Sequence, residues 1–288
     1  MRRPAPLPDR DGVGPARVRL RGGAVLVELA DRFGEAAAEK VLNGEVVDAD
    51  GAVITAATVL PPGAHVFLYR ELPDEVVVPF DIPVLHRDDD IVVVDKPHFL
   101  ATMPRGGHVA QTALVRLRRS LDLPELSPAH RLDRLTAGVL LFTVRREVRG
   151  AYQTLFARGL VRKTYVARSS GVASVVLPTV IRSRIIKERG RLQAFEEPGE
   201  PNAETLVETL GDGRYRLSPR TGRTHQLRVH MASIGLPIDN DPLYPDVIDV
   251  AADDFSAPLR LVAHRLEFDD PFTGQLRSFV SRSGAFRP

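Results

Sequence analysis

Strands and helices follow each other in an irregular order through residues 86–281. The apolar runs at 91–96 and 138–144 predict buried strands, and 113–121 and 146–159 have the spacing of amphipathic helices. Further strands are predicted for KTYVARS, ETLVETL, YRLSPR, LRLVAHRLEF and LRSFVS, with a helix at THQLRVHMASIG. Because strands occur both singly and in runs, we predict an α+β fold with a mixed, largely antiparallel sheet and flanking helices.

The first part of the chain predicts a separate small domain. Residues 1–22 are rich in Pro, Arg and Gly and are interpreted as a flexible tail. Two short helices at 24–33 and 35–44 precede a hairpin around Asp50-Gly51 and a strand at 65–72. We predict the following domains: the tail at 1–22, a helix-helix-hairpin domain at 23–78, and the main domain at 79–288 after a proline-rich linker.

Composition and charge limit the class of protein. Hydrophobic residues make up 43% of the chain, and the absence of cysteine excludes disulfides and thiol nucleophiles. No apolar run approaches the roughly 18 residues of a membrane helix, so we expect a cytoplasmic protein without a membrane partner. Residues 101–190 contain 17 Lys and Arg against 5 Asp and Glu. This segregation predicts a polyanion-binding face, with a solvated basic surface as the alternative.

The stretch AHRLDRLTAG, at 129–138, concentrates polar residues between two apolar strands. Asp133 is flanked by Arg131 and Arg134, whose charges favour an ionised carboxylate. An ionised aspartate can act as a nucleophile or as a base. A salt-bridged turn is the alternative interpretation.

The stretch PRTGRTHQLRVH, at 219–230, leads from a strand into a helix for which Thr224 is the predicted N-cap. Its cationic and polar side chains, together with the helix N-terminus, predict an anion site, and a basic surface helix is the alternative. In the strand KTYVAR, Tyr165 is either a core tyrosine or a ring that stacks on a base. The motifs HExxH, GxSxG, GxGxxG and GxxxxGK[ST] are absent, so no metal or cofactor is expected.

Five segments in order resemble the RluA-type pseudouridine synthases. They are DDDIVVVDKP (88–97), HRLDRLTAG (130–138), KTYVA (163–167), TGRTHQLRVH (221–230) and GLPIDNDPLY (235–244). The resemblance runs from about residue 79 to 281 and implies the catalytic fold of that family. It also implies a cofactor-free isomerase that converts specific uridines to pseudouridine in ribosomal or transfer RNA. The region before it resembles a small RNA-binding domain shared with a ribosomal protein.

The resemblance also implies roles for individual residues. Asp133 is the catalytic aspartate, Arg228 its ion-pair partner, Tyr165 the residue stacked on uracil, and Arg131 the residue that fills the space left by the flipped nucleotide. Further contacts with RNA are expected from His130, Thr136, Lys163, Arg223, His225 and Gln226. The expected partner is structured RNA, and the expected oligomeric state is a monomer.

The sequence departs from the family pattern in three places. Phe99 holds the place of a glycine, Ala137 that of a serine, and the helix at 35–44 carries Lys40 as its only cation. These departures motivate a second hypothesis, a catalytically inactive RNA-binding or ribosome-assembly factor on the same fold. A hydrolase built on His130, Asp133 and His225 is a third, which lacks both metal spacing and a nucleophile elbow.

Overall fold

The computed structural model describes residues 5–69, 71 and 74–283. The chain divides into two compact units, residues 1–74 and 75–288. We predicted the division after residue 78, four residues later. Glu75 belongs to the second unit because its carboxylate accepts hydrogen bonds from the backbone N–H groups of residues 109–111, at 2.6–3.0 Å.

The first unit contains two helices and short strands. Its elements are β1 (Ala16–Arg19), β2 (Gly23–Ala24), α1 (Val25–Phe33), α2 (Glu35–Leu42), β3 (Val47–Asp48), β4 (Val59–Leu60) and β5 (His65–Leu68). The strands pair in the orders β1-β5-β3 and β2-β4, all antiparallel. The predicted hairpin turn is present, since Asp48 Oδ1 accepts hydrogen bonds from the N–H groups of Asp50 and Ala52 at 2.9 Å.

The interpretation of residues 1–22 as a flexible tail is wrong for Ala16–Arg19. These residues form β1, which pairs antiparallel with β5. Arg17 and Arg19 are exposed, Val18 is half-buried, and Leu20 just after the strand is buried. A four-residue strand among Pro, Gly and Arg offers too short an alternation to detect from sequence. Residues 1–4 of the predicted tail lie outside the described residues.

The second unit is built on one large sheet. Its elements are β6 (Val84–Arg87), β7 (Ile91–Lys96), α3 (Ala113–Leu121), β8 (Ser127–Pro128), β9 (Ala137–Thr143), α4 (Arg146–Ala157), β10 (Arg162–Arg168), β11 (Thr179–Ile186), β12 (Phe195–Glu197), β13 (Ala203–Gly211), β14 (Arg214–Pro219), α5 (Gln226–Ser233), β15 (Leu261–Asp269) and β16 (Leu276–Val280). Among the helices in the described part of the chain, none is both long and apolar enough to cross a membrane.

The large sheet runs in the order β12-β11-β13-β14-β10-β15-β9-β7-β6, with β16 on β15 and β8 on β9. Its pairings are antiparallel except for the parallel pair of β15 and β9. Successive side chains of β7 point to opposite faces of the sheet. Ile91 and Val93 pack in a cluster with α4, whereas Val92 and Val94 pack in a cluster with α3 and α5. The predicted α+β fold with a mixed, largely antiparallel sheet is confirmed.

The backbone at Gly138 fixes where β9 meets β15. Gly138 has φ of 112° and pairs with Ala263, and a Cβ at this position would lie 2.3 Å from the carbonyl oxygen of Ala263. Only glycine tolerates both the left-handed conformation and this close approach. The polar loop at residues 129–136, which precedes β9, is thereby held beside the neighbouring strands β15 and β10.

Phe99, the departure from the glycine of the family pattern, also has a positive φ, of 65°. The backbone thus keeps a conformation that glycine adopts more easily. The ring is buried and lies 5.2 Å from the ring of Phe255 and 6.3 Å from that of Phe80, centroid to centroid. Packing of the three rings offsets the conformational cost at Phe99.

Candidate active site

A cavity of about 640 Å³ opens where the loop at 129–136, strand β10 and the start of α5 meet. All ten residues predicted for the site line it. They are Asp133, Arg228, Tyr165, Arg131, His130, Thr136, Lys163, Arg223, His225 and Gln226. Three segments separated by dozens of residues therefore converge on one concave surface, which is the usual setting of an active site.

The carboxylate of Asp133 lies half-buried in the wall of this cavity. Its backbone is part of a turn in which Thr136 N–H donates to the carbonyl of Asp133 at 3.1 Å. Among the residues that the structure describes, none is hydrogen-bonded to its side chain. The alternative interpretation, a salt-bridged turn, is therefore not supported within the described residues. Asp133 lines a cavity of about 640 Å³, which is large enough for a nucleobase.

The charge of Asp133 affects the pKa values of Tyr165 and Lys96. Burial, and then the negative charge of Asp133, raise the pKa of the Tyr165 phenol, so it is protonated at neutral pH. Burial lowers the pKa of Lys96 to about 7, while the charge of Asp133 raises it. Lys96 Nζ donates to three backbone carbonyls, at 2.7–3.4 Å, as an ammonium group can.

Arg228 pairs with Asp241, and not with Asp133 as predicted. Its Nε donates to Asp241 Oδ2 at 2.8 Å and its Nη2 to Asp241 Oδ1 at 2.5 Å, and both side chains are almost fully buried. Within the described residues, Arg228 and Asp133 form no ion pair shorter than 4.0 Å. Asp241 is the better partner because it is buried with Arg228 and offers both oxygens to the planar guanidinium.

Comparison with known proteins shows the family to which the chain belongs. A family model described as RNA pseudouridylate synthase matches residues 90–233, half of the chain. The dual-specificity RNA pseudouridine synthase RluA of Salmonella typhi is 33% identical over 205 residues, which cover 68% of this chain and 90% of that protein. The chain belongs to the RNA pseudouridylate synthase family. It is an RluA-type member.

Other relatives of the family are longer than this chain. The human pseudouridylate synthase RPUSD2 is 35% identical over 171 residues, 58% of this chain and 31% of that protein. RNA pseudouridine synthase 7 of Arabidopsis thaliana is 29% identical over 213 residues, 69% of this chain and 53% of that protein. The chain thus spans about one third of the first relative and about half of the second.

Solved structures share the fold. Human RNA pseudouridylate synthase domain containing 4 superposes with a TM-score of 0.54 at 24% identity, covering 69% of this chain and 88% of that one. Human RNA pseudouridylate synthase domain containing 1 superposes with a TM-score of 0.56 at 23% identity, covering 71% of this chain and 84% of that one. The second unit thus has the sheet architecture of the pseudouridylate synthases.

In this family member the start of α5 is organised by Gln226. The prediction of Thr224 as N-cap is wrong, because the helix begins after His225, which has φ of 58° and makes no side-chain cap. Instead, Gln226 Oε1 accepts from Thr221 Oγ1 and from Arg223 N–H, at 2.8 and 3.0 Å. Its Nε2 donates to strand β13, to Glu204 O and Thr205 Oγ1. Gln226 is buried with its amide used inside the protein, which favours a structural role over RNA contact.

His225 has a defined tautomer. The hydroxyl of Tyr244 donates to Ala194 O and accepts from Ala194 N–H, at 2.8 and 2.7 Å, and lies 2.9 Å from His225 Nδ1. Because the single hydroxyl proton is used on a carbonyl, Nδ1 must be the donor, and Nε2 carries the lone pair. Burial lowers the pKa of His225 to about 4, although the charge of Asp133 raises it, so the ring is neutral at pH 7.

Of the other predicted residues, some make contacts inside the protein and some are exposed at the cavity. His130 stacks on Phe156 with ring centroids 4.3 Å apart, and burial lowers its pKa to about 3. Thr136 is buried, and Lys163 Nζ donates to Thr221 O at 3.1 Å. Two arginines remain at the rim, both exposed, namely Arg131 and Arg223. The open arginines are therefore the ones placed to meet a phosphate or an emptied base position.

Three residues of the site were not assigned a role from sequence: Asp241, Tyr244 and Lys96. Asp241 and Tyr244 lie in the segment GLPIDNDPLY and Lys96 in DDDIVVVDKP. Both segments carried the resemblance, so the signal was present. Their roles depend on contacts with distant residues, which a spacing pattern does not reveal.

Proposed function

We propose that the second unit isomerises uridine to pseudouridine in structured RNA, with Asp133 as the catalytic group. The N-glycosidic bond between C1′ and N1 of uracil breaks, the base turns, and C1′ bonds to C5, while the proton leaving C5 is balanced by the one gained at N1. The product has the composition of the substrate. The carboxylate acts either by attack on the sugar or by removal of a ribose proton.

A single observation carries this proposal: the carboxylate of Asp133 faces the cavity without a hydrogen bond to any described residue. A carboxylate in a protein normally accepts hydrogen bonds from protein groups or from water. Asp133 is half-buried and has no protein partner for its side chain among the described residues, so its oxygens are available to a reacting sugar. Family membership supports this reading.

Uracil recognition is assigned to Tyr165. Its ring lines the cavity together with Asp133, and a base inside an RNA helix cannot reach this wall. Enzymes that act on a base extrude it and read it in a pocket, stacked on an aromatic ring. Arg131, exposed at the cavity, is the side chain that would fill the vacated position.

The guanidinium of Arg228 is proposed to supply positive charge near Asp133, since both residues line the cavity. Its Nε and Nη2 donate to Asp241, which leaves Nη1 free of that pair. The bidentate pair fixes the plane of the guanidinium, and a fixed cation stabilises negative charge better than a mobile one.

The RNA substrate is assigned to ribosomal or transfer RNA. Exposed arginines surround the cavity, among them Arg158, Arg220 and Arg223. Cations at a rim bind phosphates and position the backbone, while shape and base contacts select the target loop.

The test is pseudouridine formation in total ribosomal and transfer RNA by the purified chain. Asp133→Asn keeps the size of the side chain and is expected to abolish the reaction. Asp122→Asn is the matched control, because Asp122 is an exposed C-cap in the left-handed conformation, which asparagine also tolerates. Full activity of Asp133→Asn would refute the proposal, and RNA binding by a wild-type chain without isomerisation would favour an inactive RNA-binding factor.

A further inference from the structure

Thr102 holds the backbone next to Asp133. Its Oγ1 donates to the carbonyl of Leu132 at 2.8 Å and accepts from the N–H of the same residue at 3.1 Å. Both residues are only 4% exposed. One side chain therefore satisfies both backbone polar groups of Leu132, the residue that precedes Asp133 in the chain.

His98 and Lys96 hold the other side of Asp133. His98 Nδ1 lies 2.7 Å from the carbonyl oxygen of Leu135. Because a carbonyl oxygen only accepts, Nδ1 must be the donor. Lys96 Nζ reaches the carbonyl of Arg134 at 3.4 Å. Residues 132, 134 and 135 are thus bound by side chains of residues 96–102, which comprise the end of β7 and the short segment after it.

The tautomer of His98 is fixed as a consequence. With Nδ1 protonated, Nε2 carries the lone pair, and this atom is buried without a hydrogen-bond partner in the described structure. An unsatisfied buried acceptor is costly. That the fold tolerates this cost indicates that the hydrogen bond from His98 Nδ1 to Leu135 O is important.

We propose that Thr102 and His98 are positioning residues that fix the loop backbone on both sides of Asp133 for catalysis. The inference rests on the proposed function. The side chain of Asp133 has no hydrogen bond of its own to a described residue, so the location of its carboxylate depends on the main chain. Holding that main chain at residues 132 and 135 restricts the carboxylate to the wall of the cavity.

The first test removes the hydroxyl of Thr102. Thr102→Val keeps the shape and deletes both hydrogen bonds, and it is expected to lower kcat by a factor of about 10–100 while KM for RNA stays within about twofold. Thr102→Ser is expected to restore most of the rate. Thr143→Val is the matched control, since Thr143 is fully buried and its Oγ1 donates to Ser127 O at 3.2 Å, at the other end of β9.

A merely structural role predicts a different pattern. Thr102→Val and Thr143→Val would then lower the melting temperature equally and leave kcat equal. If the wild type is active and Thr102→Val has the same kcat, the positioning role is overturned and the proposed function stays intact.

The second test does not depend on activity. The N–H of Leu132 loses its acceptor in Thr102→Val, so its hydrogen exchange is expected to quicken at least about tenfold relative to wild type and to Thr143→Val. Exchange at the wild-type rate overturns the proposal. If the wild type forms no pseudouridine, the proposed function fails, while this measurement still decides whether Thr102 orders the loop.

His98 is tested in the same assays. His98→Leu removes the donor to Leu135 O and is expected to lower kcat by a larger factor than it changes KM. In His98→Asn the amide nitrogen takes the place of Nδ1, so activity is expected to recover. Equal losses in both variants would contradict the role of the Nδ1 hydrogen bond.

Discussion

Asp133 and Tyr165 line the same cavity, and the charge of Asp133 acts on the pKa of the Tyr165 phenol. The phenol is kept neutral by burial and by the nearby carboxylate, which raise its pKa. A neutral phenol is a poor proton donor at neutral pH, and its ring is the part that lines the cavity. We therefore propose that the chemistry at this pair is divided: the carboxylate reacts, and the ring binds the base.

Substitution of Tyr165 tests this division. Tyr165→Phe keeps the ring and is expected to retain activity within about tenfold, whereas Tyr165→Leu loses base stacking, which contributes on the order of 1–3 kcal/mol, and is expected to fall by about 10–100-fold. The measurement is single-turnover isomerisation with saturating enzyme. Equal and severe losses in both variants would instead assign the proton of the hydroxyl a role in the reaction.

Arg228 shows why the assignment implied by the resemblance was incomplete. Its position in TGRTHQLRVH predicted a functional guanidinium, and the structure places it in the cavity wall. The sequence did not reveal that Asp241, thirteen residues later, takes the ion pair. Both Asp133 and Asp241 are aspartates near arginines, and only the packing around them distinguishes a structural carboxylate from a reactive one.

At the scale of elements, the close approach of β9 to β15 at Gly138 fixes the position of the loop that carries Asp133. Gly138→Ala is expected to destabilise the second unit by more than about 2 kcal/mol, because the added Cβ meets backbone at 2.3 Å and φ is 112°. Gly150→Ala is the matched control: it lies within helix α4 with no atom near its Cβ position, so alanine there is expected to stabilise by up to about 1 kcal/mol. Urea unfolding measures both, and equal midpoints would contradict the proposed clash.

The elements that were predicted well are those with a clear apolar period. Strand β7 and helix α3 have the predicted bounds, and helix α4 ends two residues earlier. The hairpin of β11 and β12 was missed because its strands lie near the end of the sheet and interleave arginines with half-buried residues. Such a strand is stabilised by pairing with β13, which no local pattern encodes.

At the scale of the whole molecule, the excess of cationic residues lies in the second unit. Residues 101–190 contain 17 Lys and Arg against 5 Asp and Glu. Within this segment Arg131 is exposed at the cavity. We therefore propose that RNA affinity resides mainly in the second unit. The RNA-binding character of the first unit stays a prediction.

Buried histidines should make the second unit sensitive to mild acid. Burial lowers the pKa of His98, His225 and His230 to about 4 and that of His130 to about 3. A histidine whose pKa is lower in the folded than in the unfolded state stabilises the fold fully above the unfolded value, near 6.5, and progressively less as the pH falls towards the folded value.

Between pH 7 and pH 5 each of these four histidines therefore contributes a loss of up to about 2 kcal/mol in the free energy of unfolding. Urea midpoints at the two pH values measure the sum. His130→Gln removes one titrating group and is expected to reduce the pH dependence by about a quarter, whatever it costs at pH 7. A midpoint that does not move between pH 7 and pH 5 would mean that these rings accept protons in the folded protein as readily as in the unfolded chain, and the lone pairs assigned to His98 and His225 would then be occupied by protons.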